Sequence, residues 1–372
     1  MAQAKFCKVA GVWKPVSAEF GKVGGAWKTV PTNWAKVTDW KGIPFAKYLF
    51  VCEQFSDRLY GLDDTPTDLA GWPKFGGGIS DPNDVAVDSD GNSYWACAGG
   101  VYKIGVDGTI APGWPYTGHG TTVLSVCVDA DGYVYSGDFA GVVKKLDGNL
   151  LPSDPLFVKW SHTIGTNYSV YALAVDYSAG RLYAGTGFAY DAVYSIVTLN
   201  GNTTKIYTCP YGDVAGIAVD ELSPTSIYFG TNTGCLLKIS TAGFLYNKYA
   251  GWGIDPPAGV STAVYNVRVG HDGYGYCATG PSGTYGKALY KFTLSTGNRV
   301  WHYVPSGTAC AIGCAVDQFG NVYGSWYIAG DSVYNVVRKV NSAGVLQWSW
   351  QPYTSAQFRG LAVSPGIKAA GM

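Results

Sequence analysis

Glutamate and methionine are nearly missing from this chain: three Glu (Glu19, Glu53 and Glu221) and two Met occur in 372 residues. Both residue types favour helices, so their scarcity argues against long helical segments. Charge is scarce as well. Charged residues make up 14% of the chain and the formal net charge is zero, which removes the basic footprint expected of a protein that holds nucleic-acid phosphates. No apolar run approaches the roughly 18 to 20 residues needed to cross a bilayer. The opening residues MAQAKFCKVAGVW lack the basic start, apolar core and small-residue cleavage site of a secretory signal. The expectation is a chain made and folded in a cytoplasm, without a membrane span and without a nucleic-acid partner.

Paired metal-type cysteines are also wanting. The nine cysteines are odd in number and include no C-x-x-C, so a disulfide framework is not expected. Cys97, Cys127, Cys277 and Cys314 lie in alternating apolar segments and read as reduced, buried thiols. Cys310 and Cys314, four apart, would share one face of a strand, but no second pair completes a metal site. Glycine (51), tyrosine (28) and tryptophan (13) are plentiful, as befits strands and tight turns.

A long-period repeat organises most of the chain. DVAVDSDGNSYWACAGGVYKI (84–104) recurs as VCVDADGYVYSGDFAGVVKKL (126–146), LAVDYSAGRLYAGTG (173–187), IAVDELSPTSIYFGTNTGCLLKI (217–239) and CAVDQFGNVYGSW (314–326), with a looser copy, VRVGHDGYGYCATG (267–280). The residue after each V-x-V phrase is Asp88, Asp129, Asp176, Asp220, Gly270, Asp317 and finally Ser364. Seven anchors at a spacing of roughly 40 to 50 residues are the signature of propeller blades. Each unit reads as an apolar inner strand, a D-x-D-G turn, an x-V-Y-x-G strand and a V-Y-K-I strand. A Gly or Asn turn then leads to an outer strand. The seventh unit is split. Its inner strand, FRGLAVSPG (358–366), ends the chain, whereas KYLFVCEQFSDRLYGLDD (47–64) has strand character but no inner strand before it. The fold expected is all-β: a seven-bladed β-propeller over 47–372, closed by pairing of the C-terminal strand with N-terminal ones, which removes both sheet edges. It is preceded by a small hairpin-repeat module over 1–46.

The repeat resembles the NHL and pyrroloquinoline-quinone-type propeller repeats, the latter most clearly in LYKFTLSTGNRVWHY (289–303). That resemblance implies a fold more than a function, because such propellers host enzymes, scaffolds and receptors alike. The first residues carry a different pattern. KVAGVWKPV (8–16) repeats as KVGGAWKTV (22–30) and, more degraded, as KVTDWKGI (36–43), each unit reading as a hairpin. This K-V-G-G-x-W-K-x-V unit is similar to the short repeat at the ends of tailed-bacteriophage virion proteins, including tail and baseplate components. It implies a virion structural protein, with Trp13, Trp27 and Trp40 as the attachment stripe, other virion proteins as partners and a symmetric homo-oligomer on the particle.

Chemistry is sparse. His119, His162, His271 and His302 fall in different units without metal-motif spacing and read as surface or turn residues. There is no G-x-S-x-G elbow and no P-loop. The D-x-D-G phrases read as turns rather than calcium loops, since no Glu follows as a bidentate ligand. The recurring third-strand lysines, Lys103, Lys145, Lys238, Lys291 and Lys339, read as a solvated face. No catalytic residue, metal ligand or cofactor is therefore assigned. The long, aromatic connections gather on one side of the disk, and Trp72, Trp114, Tyr116, Tyr190, Trp252, Tyr285 and Tyr327 form the candidate interaction face for a protein or a host-surface glycan. The expected function is a non-enzymatic virion protein of the tail, collar or capsid decoration. A propeller hydrolase or lactonase with an unrecognised metal site is the alternative.

Overall fold

The computed structural model describes residues 6–9, 12–15, 20–23, 26–29, 48–54, 56–166, 168–188, 190–220, 226–248, 263–280, 288–305, 310–327, 336–352 and 358–364. It divides into two compact units, Met1–Phe45 and Ala46–Met372. In the first unit Phe6–Val9 pairs with Val12–Pro15, and Phe20–Val23 pairs with Ala26–Thr29. Lys8 lies opposite Trp13, and Lys22 lies opposite Trp27. Both repeats are thus antiparallel hairpins in the same register. The third repeat, with Trp40, lies outside the described residues.

Seven antiparallel sheets build the second unit. Their inner strands are Asp84–Val87, Val123–Val128, Tyr168–Asp176, Val214–Asp220, Val264–Val269, Cys310–Val316 and Phe358–Ser364, and blades one to seven are numbered from them. Apolar residues at every second position of these strands face a neighbouring blade. Blade seven takes its inner strand from the C-terminus and the next from the N-terminal side: Phe358–Ser364 pairs with Tyr48–Glu53, setting Leu361 opposite Val51 and Ser364 opposite Tyr48. Seven buried clusters fill the spaces between neighbouring blades. One joins Tyr323 and Val337 of blade six to Val51 and Tyr60 of blade seven, and another joins Phe50 and Leu59 of blade seven to Val85 and Trp95 of blade one. With an apolar interface on each side of blade seven the ring is closed, as the split repeat predicts.

The D-x-D-G aspartate is consumed by its own turn. Asp129 Oδ1 accepts the amides of Asp131 (3.0 Å) and Tyr133 (2.9 Å), while Oδ2 accepts the Tyr135 hydroxyl (2.9 Å). Asp88 and Asp317 repeat the arrangement with Tyr94 and Tyr323.

The third-strand lysines do not form a solvated face. Lys145, Lys291 and Lys339 are buried, because both faces of a blade are covered by its neighbours. Each ammonium lies over a second-strand tyrosine ring, at 5.4 Å for Lys145 on Tyr135 and 5.2 Å for Lys238 on Tyr228, and reaches the outer turn of the next blade. Lys103 donates to Gly148 O (2.7 Å), Lys145 to Thr198 O (3.1 Å) and Lys238 to Leu294 O (3.1 Å). Lys339 pairs with Asp64 of blade seven. Outer-strand tryptophans add a second donor: Trp160 to Thr198 O (2.9 Å) and Trp348 to Asp64 O (3.1 Å). In blade seven Gly61 stands at the lysine position, and a Cβ there would come within 2.8 Å of the Trp72 ring. Trp72 fills that space and itself donates to Val106 O of blade one (2.9 Å).

Candidate functional site

The inner strands surround a channel of about 650 Å³. A bulge interrupts six of them, with register shifts at Val123/Ser125, Val170/Ala172, Val214/Gly216, Val264/Asn266, Ala311/Gly313 and Phe358/Leu361. The unpaired residue of a bulge is re-aimed away from the ladder. Here those residues, Leu124, Tyr171, Ala215, Tyr265, Ile312 and Arg359, all line the channel. The bulge also corrects the reading of Cys310 and Cys314. They face Tyr327 and Gly324, an odd spacing on the partner strand, so the two thiols leave opposite faces. Among the described residues no group of three or more His, Cys, Asp or Glu side chains is placed to hold a metal ion.

Deeper in the channel, six blades contribute small residues at the middle of the V-x-V phrase: Ala86, Cys127, Ala174, Ala218, Ala315 and Ala362. Blade five contributes Arg268. The glycines of these strands let them crowd together: a Cβ on Gly216 would stand 2.8 Å from Asn266 Cα, and one on Gly360 would stand 2.7 Å from Asp84 Cα. Asp84 also lines the channel, close enough for the Arg268 charge to act on its carboxyl. Its Oδ1 accepts the Val85 amide (2.9 Å) and its Oδ2 the Val126 amide (3.1 Å). Burial pushes the Asp84 carboxyl up to about 6, against the opposing pull of Arg268 and of those amides. Desolvation of the carboxylate outweighs them.

The end of the channel where the inner strands begin is the end from which the connections between second and third strands emerge. There Asp213 accepts the Phe188 amide (2.7 Å) and the Asn232 side-chain amide (2.7 Å). Burial, with the Asp213 carboxylate beside it, pushes Asp191 up to about 6. Next to this mouth lies an aromatic patch. Phe188 is 70% exposed, Tyr190 58% and Phe139 44%. Phe139 and Phe188 meet across blades two and three at 5.7 Å, and Tyr190 stacks on Tyr168 at 4.7 Å. Phe188 holds φ at +79°, a conformation that ordinarily selects glycine.

Of the seven sequence-predicted interaction residues, Tyr190 belongs to this patch. Trp72 and Trp114 do not present themselves to a partner: each is 7% exposed. The Trp72 ring packs on Phe50 (5.5 Å) and Trp95 (5.7 Å), and the Trp114 ring packs on Tyr94 (5.8 Å) and Phe157 (5.4 Å). The reason is local. The outer strand of blade seven is only Lys74–Phe75, and that of blade one is reduced to the bridges Val101↔Tyr116 and Ile104↔Ile110, so the indoles close the gaps. Tyr116 is half-buried in the second of these edges, packed on Phe157 at 5.2 Å. Trp252 and Tyr285 lie outside the described residues. Tyr327 ends the strand Val322–Tyr327.

His119 is neither a surface residue nor a free turn residue. Its Nδ1 lies 2.9 Å from Asp138 Oδ2 and its Nε2 lies 2.8 Å from Ser136 Oγ. That is the hydrogen-bond order of a nucleophile, base and acid. The side chains of His119 and Asp138 are 0% and 1% exposed, however, and Ser136 is buried. No substrate reaches the hydroxyl in this arrangement. The cluster ties the connection into blade two to its second strand.

Sequence reasoning passed over Phe139, Phe188 and Arg268. The signal for Arg268 was present: VRVG is the one copy of the inner-strand phrase whose middle residue is neither Ala nor Cys.

No family model matches the chain, and no curated protein matches it. Among solved structures it is similar to a chain in the crystal structure of a mitotic checkpoint complex, with TM-score 0.57 and 16% identity over 74% of this chain and 78% of that one. It is also similar to the WD40 β-propeller domain of Doa1, with TM-score 0.57 and 14% identity over 82% of this chain and 88% of that one. At such identities the likeness is one of fold: a seven-bladed, WD40-like β-propeller.

Proposed function

We propose that this chain is a non-enzymatic binding protein of a tailed-phage particle. Its hairpin repeats fasten it to other virion proteins, and its propeller presents the Phe139–Phe188–Tyr190 patch to a protein on the host surface. The observation that carries the binding role is the pair Phe139 and Phe188, two exposed apolar rings in contact across a blade boundary. Rigid aromatic anchors of this kind dominate protein interfaces. A protein partner is favoured over a glycan because neither phenylalanine offers a hydrogen bond to sugar hydroxyls. One solved chain of similar fold belongs to a protein complex, which accords with that choice. The virion assignment rests on the K-V-G-G-x-W-K-x-V repeats, two of which pair as hairpins with Lys opposite Trp.

The test uses the full chain, fluorescently labelled, on host cells. Wild-type protein is expected to bind, and a Phe139→Ser, Phe188→Gly, Tyr190→Ala variant to lose binding. Mild protease treatment of the cells should abolish the signal and periodate should leave it. Loss with periodate alone would transfer the face to a glycan, and absence of wild-type binding would remove the receptor role. Replacing Trp13, Trp27 and Trp40 by Ala should abolish incorporation into particles. Normal incorporation would contradict the attachment role.

A further inference from the structure

Among the described residues Arg268 is a cation that no carboxylate contacts. One N–H of its guanidinium donates to Val267 O, its own chain neighbour, at 3.0 Å, and among the described residues it forms no ion pair. Asp84, on which its charge acts, has each carboxylate oxygen engaged by a backbone amide. A guanidinium carries five donors in a planar fork, so several remain for the lumen. The six small residues at the sister positions leave room in front of this one.

One more feature belongs to the same space. At the mouth, Arg359 lies close enough to Tyr171 and Tyr265 for its charge to act on both. A channel of about 650 Å³ falls within the range of pockets that enclose metabolite-sized ligands, about 300 to 1,000 Å³.

We propose that the channel binds a small organic oxyanion, a carboxylate or phosphate monoester, paired in a bidentate manner with Arg268 and entering past Arg359, Tyr171 and Tyr265. Planar forks of this kind match both oxyanions. The site is separate from the aromatic patch and does not depend on its role.

Calorimetric titration of the full chain with inorganic phosphate, glucose 6-phosphate, glucuronate and glucose tests this. The three anions are expected to bind and glucose is not. Arg268→Gln should weaken the anions by about tenfold to a hundredfold, the loss of a charge-assisted bidentate pair. Arg268→Lys, which keeps the charge and guards against a folding artefact, should fall between the two, with cooperative unfolding retained in all proteins. Binding of phosphate and glucuronate but not glucose 6-phosphate would still place the oxyanion at Arg268 and limit its size. Absence of anion binding to the wild-type chain, or equal binding to Arg268→Gln, would overturn the proposal.

Discussion

The Lys145 ammonium of blade two donates to the Thr198 carbonyl of blade three at 3.1 Å, where the Trp160 indole also donates. Blades are thus stitched at their outer turns as well as packed along their faces. Replacing Lys145 with Met keeps the apolar stem and removes the donor and the contact with the Tyr135 ring. A stability loss of about 1–3 kcal/mol is expected, read as a shift in the urea midpoint. An unchanged midpoint would mean that the stitch contributes nothing.

Ring closure makes a second prediction. Leu361 is buried in the closing strand, in the cluster shared by blades six and seven. Leu361→Ala should cost about 2–5 kcal/mol, and deletion from residue 358 onward should expose the edge of Tyr48–Glu53 and cause aggregation. A truncated chain that stayed monomeric with an unchanged melting temperature would contradict closure.

Much of this was legible in the sequence. The anchors from Asp88 to Ser364 lie at or just beyond the ends of the inner strands, and the split seventh unit is joined as the pattern implies. What was hidden depends on three dimensions. A period-two pattern assigns a residue to a sheet face, but in a propeller both faces are covered, so Lys145 and Lys291 were misread as solvated. The bulges that turn Tyr171 and Arg359 into the channel are register shifts between partner strands, which one strand alone does not encode. Trp72 and Trp114 were misplaced for a related reason: in connections that look long, they substitute for missing outer-strand packing.

Asp84 supplies a pH prediction. Besides Arg268, the titratable groups close to it are Cys52 and Cys127, whose thiols burial pushes up, so both stay neutral. Asp84 should titrate near pH 6 in the folded chain, against about 4 when unfolded. Its contribution to stability is then fully present below about pH 4 and is lost as pH rises through about 6. Arg268→Gln removes the attraction that favours the carboxylate and should move the titration higher, as read by carboxyl-carbon NMR of aspartate-labelled protein. A titration near 4 in the wild-type chain, or a downward move in the variant, would contradict the influence of burial and of Arg268 on this carboxyl.

Phe188 separates folding from binding. Since its φ of +79° suits glycine, Phe188→Gly should leave the melting temperature unchanged or slightly raised, even though a ring contact with Phe139 is lost. A fall of several degrees would show that the exposed ring serves the fold rather than a partner.

The division of labour between hairpins and propeller is tested most directly by measuring the adsorption rate of particles assembled with the Phe139→Ser, Phe188→Gly, Tyr190→Ala chain. Wild-type copy number per particle is expected, with adsorption slowed at least about tenfold, the effect of removing anchors worth about 2 kcal/mol or more. Wild-type adsorption by particles that carry the variant at full copy number would contradict it.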